Sequence, residues 1–177
     1  MRRPIVLALA AGAAWAAATT AQEGPGLGVP ATQEQVAGWD ISIGPDGAGL
    51  PRGSGTAVAG KAVYDAKCVA CHGADGAGRP NDQLVGGQGT LRDAAPIRTI
   101  GSYWPYATTV FDYIRRAMPY VTPHTLTPDE TYAVTAYLLA LNGVIGQTDV
   151  MDATTLPKVV MPNRANFDSA YREPRRR

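Results

Sequence analysis

The sequence predicts an all-α domain, and three helical segments carry that prediction. One runs over residues 58–68 behind Thr56, a residue suited to cap a helix N-terminus. A second covers roughly residues 106–117. The third opens on Thr127-Pro128-Asp129-Glu130, a capping box with proline at the first helical position, and stops at Asn142-Gly143. The chain of 177 residues also holds 20 Gly and 14 Pro, which predicts many turns and long irregular segments around these helices.

The first stretch is expected to lie outside the fold. Arg2 and Arg3 precede Ile5–Ala18, an unbroken apolar run of 14 residues, and Ala16–Ala21 offers small residues for cleavage. That order reads as a secretory signal peptide over residues 1–21 and places the mature protein in the periplasm. The run is shorter than the roughly 20 apolar residues of a membrane span, and no membrane span is expected elsewhere. Cleavage near Ala21 leaves 156 of the 177 residues, which suits one domain with tails. Without Arg2 and Arg3, 14 basic residues stand against 15 acidic ones. Such a balance gives no argument for nucleic acid or for an anionic lipid surface. Residues 22–54 form a Gly/Pro-rich N-terminal extension, in which Thr32–Gln35 marks a short capped helix.

In the first domain helix Gly60, Tyr64 and Cys68 recur at i, i+4 and i+8 and share one face. A glycine on that face lets a second helix cross closely. The helix leads into Cys68-Val69-Ala70-Cys71-His72, which holds the only two cysteines of the chain. Cys-x-x-Cys-His is the attachment signature of c-type haem. Thiols at this spacing reach the two vinyl groups on one porphyrin edge, and the adjacent imidazole turns onto the iron. Export agrees, because this haem is attached outside the cytoplasm. A structural disulfide would also suit an exported protein. A thioredoxin-like pair lacks a surrounding βαβ pattern, and a zinc site lacks ligands, since His124 is the only other histidine. The expected cofactor is one covalent haem c, its iron held on one side by His72.

Residues 73–105 are polar, Gly-rich and without strong periodicity, and are expected to cover one haem edge. A backbone carbonyl, that of Pro80 or a neighbour, is expected to take the second ring nitrogen of His72. Arg98, Ser102, Tyr103 and Trp104 cluster just before the middle helix and are candidate donors to the haem propionates. Core packing is the competing reading for them. In the middle helix Val110, Ile114 and Ala117 share a face that could line the haem. Asp112 and Arg116 form an i, i+4 pair there, and Arg115 and Arg116 suit the C-terminal end of the helix dipole.

Met118 follows that helix directly, and Pro119 ends it. Met118 is the first candidate for the sixth iron ligand, in a loop stiffened by Pro123 and Pro128. Met161 and His124 are the alternatives. A thioether opposite histidine raises the reduction potential over a bis-histidine site. Val134, Tyr137, Leu138 and Leu141 make the apolar stripe expected of the last helix. Residues 55–145 are thus expected to form the haem domain, with 146–177 a C-terminal extension ending in Arg175-Arg176-Arg177. Trp39, Ile41, Val159 and Met161 are apolar residues in loop-like sequence, expected to pack on the haem domain or on a partner.

The Gly-aromatic face of the first helix and the aromatic-aliphatic face of the last resemble the crossed N- and C-terminal helices of class I cytochromes c. That implies the class I cytochrome c fold, with one haem and long irregular N- and C-terminal extensions. Narrower runs go further. Gly38-Trp39-Asp40-Ile41, Ile100-Gly101-Ser102-Tyr103-Trp104-Pro105-Tyr106-Ala107-Thr108, Phe111–Pro119 and Met161-Pro162-Asn163-Arg164 are similar to the cytochrome c subunit of sulfane dehydrogenase, the SoxD-like subunit of the Sox sulfur-oxidation system. The resemblance spans about residues 32–167. It implies haem attachment at Cys68 and Cys71 and iron ligation by His72 and Met118. It also implies a molybdenum-cofactor dehydrogenase subunit as partner and a downstream cytochrome or oxidase as acceptor. On this reading the chain is not catalytic alone; it takes electrons one at a time while its partner oxidises sulfur. The single haem motif leaves no place for the second haem found in some relatives. The alternative is the cytochrome subunit of a sulfite dehydrogenase, or a free electron carrier to a terminal oxidase.

Overall fold

The computed structural model describes residues 27–167, so the predicted signal peptide and the three terminal arginines lie outside the described residues. The chain divides after Trp39 into two units. In the first, Gln33–Trp39 forms α1. The Thr32 N–H donates to Gln35 Oε1 at 2.8 Å and the Gln35 N–H to Thr32 Oγ1 at 3.2 Å, closing a reciprocal N-cap. None of the α1 residues is buried.

The second unit holds α2 (Ala57–Lys67), α3 (Val69–His72), α4 (Ala107–Ala117) and α5 (Pro128–Leu141). Two strands of two residues each, β1 (Ser54–Gly55) and β2 (Met151–Asp152), pair antiparallel with Ser54 opposite Asp152 and Gly55 opposite Met151. The architecture is therefore helical, as expected. Among the described residues no helix is long and apolar enough to cross a membrane.

The helix ends follow the capping chemistry. Thr56 Oγ1 accepts the Ala59 N–H at 3.3 Å at the start of α2. At the start of α5, Thr127 Oγ1 accepts the Glu130 N–H at 3.2 Å, and Glu130 Oε2 accepts the Thr127 N–H at 2.9 Å. Glu130 Oε1 also meets Lys67 Nζ at 2.7 Å, tying the first turn of α5 to the last turn of α2. The Lys67 ammonium, and after it the Thr127 N–H, hold the Glu130 carboxyl below its ordinary range.

Helices α2 and α5 cross with their backbones in contact. A Cβ placed on Gly60 would run into the Ala133 carbonyl and come within 2.8 Å of the Tyr137 Cβ. One turn along, the rings of Tyr64 and Tyr137 pack at 5.3 Å and 54°. On the other side of α5, Phe111 of α4 packs on Tyr132 at 4.4 Å. Of the α4 face expected from spacing, Val110 and Ile114 are buried and Ala117 is half-buried.

The last helix differs from the single stripe expected of it. Every residue from Thr131 to Leu139 is buried. The cause is the chain beyond the helices. Met151, Leu156 and Met161 all enter the core cluster, and Met161 is only 1% exposed. From the N-terminal side, the Pro51 carbonyl accepts the Tyr132 hydroxyl at 2.9 Å. Thus α5 contacts α2, α4, β1 and β2 at once and keeps no solvent face along its middle. The described part of the C-terminal extension packs on the helices.

Gly60→Val would push branched carbon into a helix crossing that has no room for it. The expected cost is about 3 kcal/mol, read as a lower urea midpoint. An unaltered midpoint would mean that the backbones do not touch there.

Candidate functional site

The Cys-His motif sits where the α2 backbone turns. The Cys68 N–H still donates to the Tyr64 carbonyl at 2.8 Å, but Cys68 leaves helical geometry at φ −124°, ψ −35°. The one-turn α3 then carries Cys71 and His72, and Gly73 at φ 72° ends it. The two cysteines form no disulfide with each other; Cys68 is half-buried and Cys71 exposed.

The His72 Nδ1 lies 2.9 Å from the Asp82 carbonyl oxygen. A carbonyl only accepts, so Nδ1 carries the proton and Nε2 keeps a free lone pair. The carbonyl is that of Asp82, two residues beyond Pro80. The reason is a fold-back of residues 73–85 onto the motif. The Gly78 N–H donates to the His72 carbonyl at 2.8 Å, and the Asn81 N–H to the Cys71 carbonyl at 2.9 Å. Gly73, Asp75, Gly76, Gly78 and Arg79 all take positive φ to make the turns.

Two tyrosines of the helix crossing brace this segment. The Tyr64 hydroxyl donates to the Gly73 carbonyl at 2.8 Å, and the Tyr137 hydroxyl to Asp75 Oδ1 at 2.9 Å. Asn142, read in the sequence only as a helix stop, has a second role. Its Nδ2 donates to the Leu84 carbonyl at 3.2 Å, and its Oδ1 accepts the Gly86 N–H at 3.0 Å. These bonds span more than 50 residues of sequence, and no local pattern announces them.

Met118 is the residue at which α4 stops. Its N–H donates to the Ile114 carbonyl at 3.0 Å while its own φ and ψ are extended, at −121° and 147°. Met118 is half-buried and packs against the core, as do Cys68, Val69, Leu84 and Trp104. Met161 is enclosed within the core, whereas His124 is exposed, at φ 64°. Arg98 lies 5.5 Å above the Tyr103 ring, and Trp104 meets Tyr113 edge-on at 5.6 Å. Ser102 is engaged within its own turn, donating to the Ile97 carbonyl at 2.6 Å and accepting the Thr99 N–H at 2.8 Å.

The donor set suits a haem. It offers two unpaired thiols three residues apart, an imidazole with its second nitrogen already bonded, and half-buried apolar side chains able to cover a macrocycle. Helix crossing and motif together define a c-type cytochrome, and residues 57–142 match the cytochrome c family. The chain belongs to the cytochrome c family: it is 43% identical to a chain in the crystal structure of the sulfane dehydrogenase SoxCD from Paracoccus pantotrophus, with a TM-score of 0.78 over 81% of this chain and 71% of that one. No curated protein matches the sequence. As a cytochrome c the chain carries covalent haem c and transfers electrons.

Burial, first among the causes, raises the hydroxyls of Tyr64, Tyr132 and Tyr137 from 10.0 to about 12. In the unfolded chain they ionise near 10, where the folded chain still holds their protons. Their contribution is therefore intact below pH 10 and is lost as pH rises from 10 to 12. Urea midpoints are expected to fall across that window, and to fall less steeply in Tyr132→Phe, which lies away from the Cys-His motif. A profile unmoved by that substitution would remove Tyr132 from the account.

Proposed function

We propose that this chain is the electron-accepting cytochrome subunit of a molybdenum-dependent sulfane dehydrogenase in the periplasm. The observation that carries the reading is the 43% identity to a chain of the SoxCD sulfane dehydrogenase, extending over 71% of that chain. Cys68 and Cys71 would attach the haem through thioethers, and His72 Nε2 and Met118 Sδ are the atoms that would hold its iron. The bound haem supplies one-electron iron chemistry. The protein contributes stillness. His72 is fixed by the Asp82 carbonyl, and the loop behind that carbonyl is fixed by Tyr64, Tyr137 and Asn142. Met118 is set by the end of α4, with Pro119 directly after it. Ligands that cannot move make the change of charge inexpensive in reorganisation. The sulfur chemistry belongs to the partner, and a downstream cytochrome or oxidase takes the electron onward.

Two measurements test this. The tagged cytochrome, recovered from periplasm under native conditions, is expected to bring a second polypeptide and molybdenum with it. Recovery of the cytochrome alone, free of molybdenum, would make it a free carrier and end the subunit reading. For the ligands, oxidised Met118→Ala is expected to lose the thioether-to-iron charge-transfer band, which Met161→Ala retains. The opposite pattern would move the sixth ligand to Met161.

A further inference from the structure

Two runs of sequence, Tyr103-Trp104-Pro105-Tyr106 and Met161-Pro162-Asn163-Arg164, lie outside the Cys68–His72 motif yet meet in space. Asn163 Nδ2 donates to the Tyr103 carbonyl at 2.8 Å. The Arg164 guanidinium lies 5.2 Å from the centre of the Tyr106 ring. Tyr103 carries Arg98 above its ring and meets Phe167 edge-on at 5.4 Å. Between the two runs is a shallow groove lined by Tyr106, Val160, Met161, Pro162 and Arg164. Its surroundings are apolar and open to solvent: Val160 is 73% exposed, Phe167 42% and Tyr103 40%.

We infer that this groove docks an acidic face of the molybdenum dehydrogenase subunit, taking an apolar side chain flanked by carboxylates; the inference rests on the subunit reading above. Tyrosine and arginine are the residues that concentrate binding energy in protein interfaces, above all when they are held rigid. Here the aromatic faces hold both guanidiniums in place without neutralising them. Among the described residues Arg164, exposed at the groove, pairs with no carboxylate, so its charge is open to a carboxylate from a partner. In the sequence, residues 168–177 hold Arg172, Arg175, Arg176 and Arg177 against Asp168 and Glu173, a net positive charge. A second copy of the same surface would bring like charge to like. Charge complementarity selects an acidic occupant.

The test uses the haem-loaded cytochrome and the purified molybdenum subunit, with affinity measured at low and high salt. The double variant Arg164→Glu, Val160→Asp places two acidic groups in the groove. It is expected to weaken binding by about tenfold or more and to flatten the salt dependence, with the absorption spectrum unchanged. Arg164→Gln, which removes charge and keeps bulk, is expected to lose less. Equal affinity of wild type and both variants would overturn the groove and leave the subunit reading intact. Absence of binding by the wild type would overturn both.

Discussion

Everything in this fold depends on one contact, the closure of α2 onto α5 at Gly60 and Ala133. With no Cβ at Gly60 the two backbones touch, and the side chains on either side are brought into fixed register. Tyr64 and Tyr137 then stack, and each sends its hydroxyl past the crossing to the turn that follows the Cys-His motif. The motif is in this way held by the core and not only by its own one-turn helix. α3 has four residues and no buried side chain, too little to fix an iron ligand by itself.

The hydrogen bonds of the fold-back solve a second problem. A chain that turns sharply after a helix leaves carbonyls without partners. Here the Cys71 and His72 carbonyls are taken by the Asn81 and Gly78 N–H groups. The same fold-back delivers the Asp82 carbonyl to His72. One piece of backbone thus satisfies the helix end and sets the imidazole tautomer. The glycines at 73, 76 and 78 are required by the positive φ of these turns. Asp75 shares that conformation and spends its carboxylate on the Tyr137 hydroxyl.

What could be read in the sequence was whatever is written locally. Thr56, the Thr127–Glu130 box and the stop at Asn142 set helix ends within a residue or two, because capping is decided by neighbours three or four positions away. The Gly60–Tyr64 face was legible for the same reason. Pairs far apart in sequence were not. The partner of His72 was expected at Pro80 or nearby, and only the path of the turn decides for Asp82. The spacing in α5 gives a stripe of Val134, Tyr137, Leu138 and Leu141; the first three are buried and Leu141 is half-buried, while Thr131, Thr135 and Ala136 are buried as well. Periodicity reports one buried face; it is silent when three other parts of the chain cover the remaining ones.

Those covering parts change what counts as the domain. The match to the cytochrome c family ends at residue 142, yet the core does not. Met151, Leu156 and Met161 come from beyond it, and each is buried as fully as the residues of α5. Burying such a side chain is worth about 1.5–3 kcal/mol, so together they amount to a large fraction of the 5–15 kcal/mol that typically separates folded from unfolded domains. Pro51 and β1 add a second brace from the N-terminal side. A helical core that is covered by its own flanking chain has less apolar surface left to hide elsewhere. Among the surfaces that stay exposed is the Tyr–Arg surface made where the returning chain crosses the start of α4. The segment that completes the core is therefore also the one that builds this outer face.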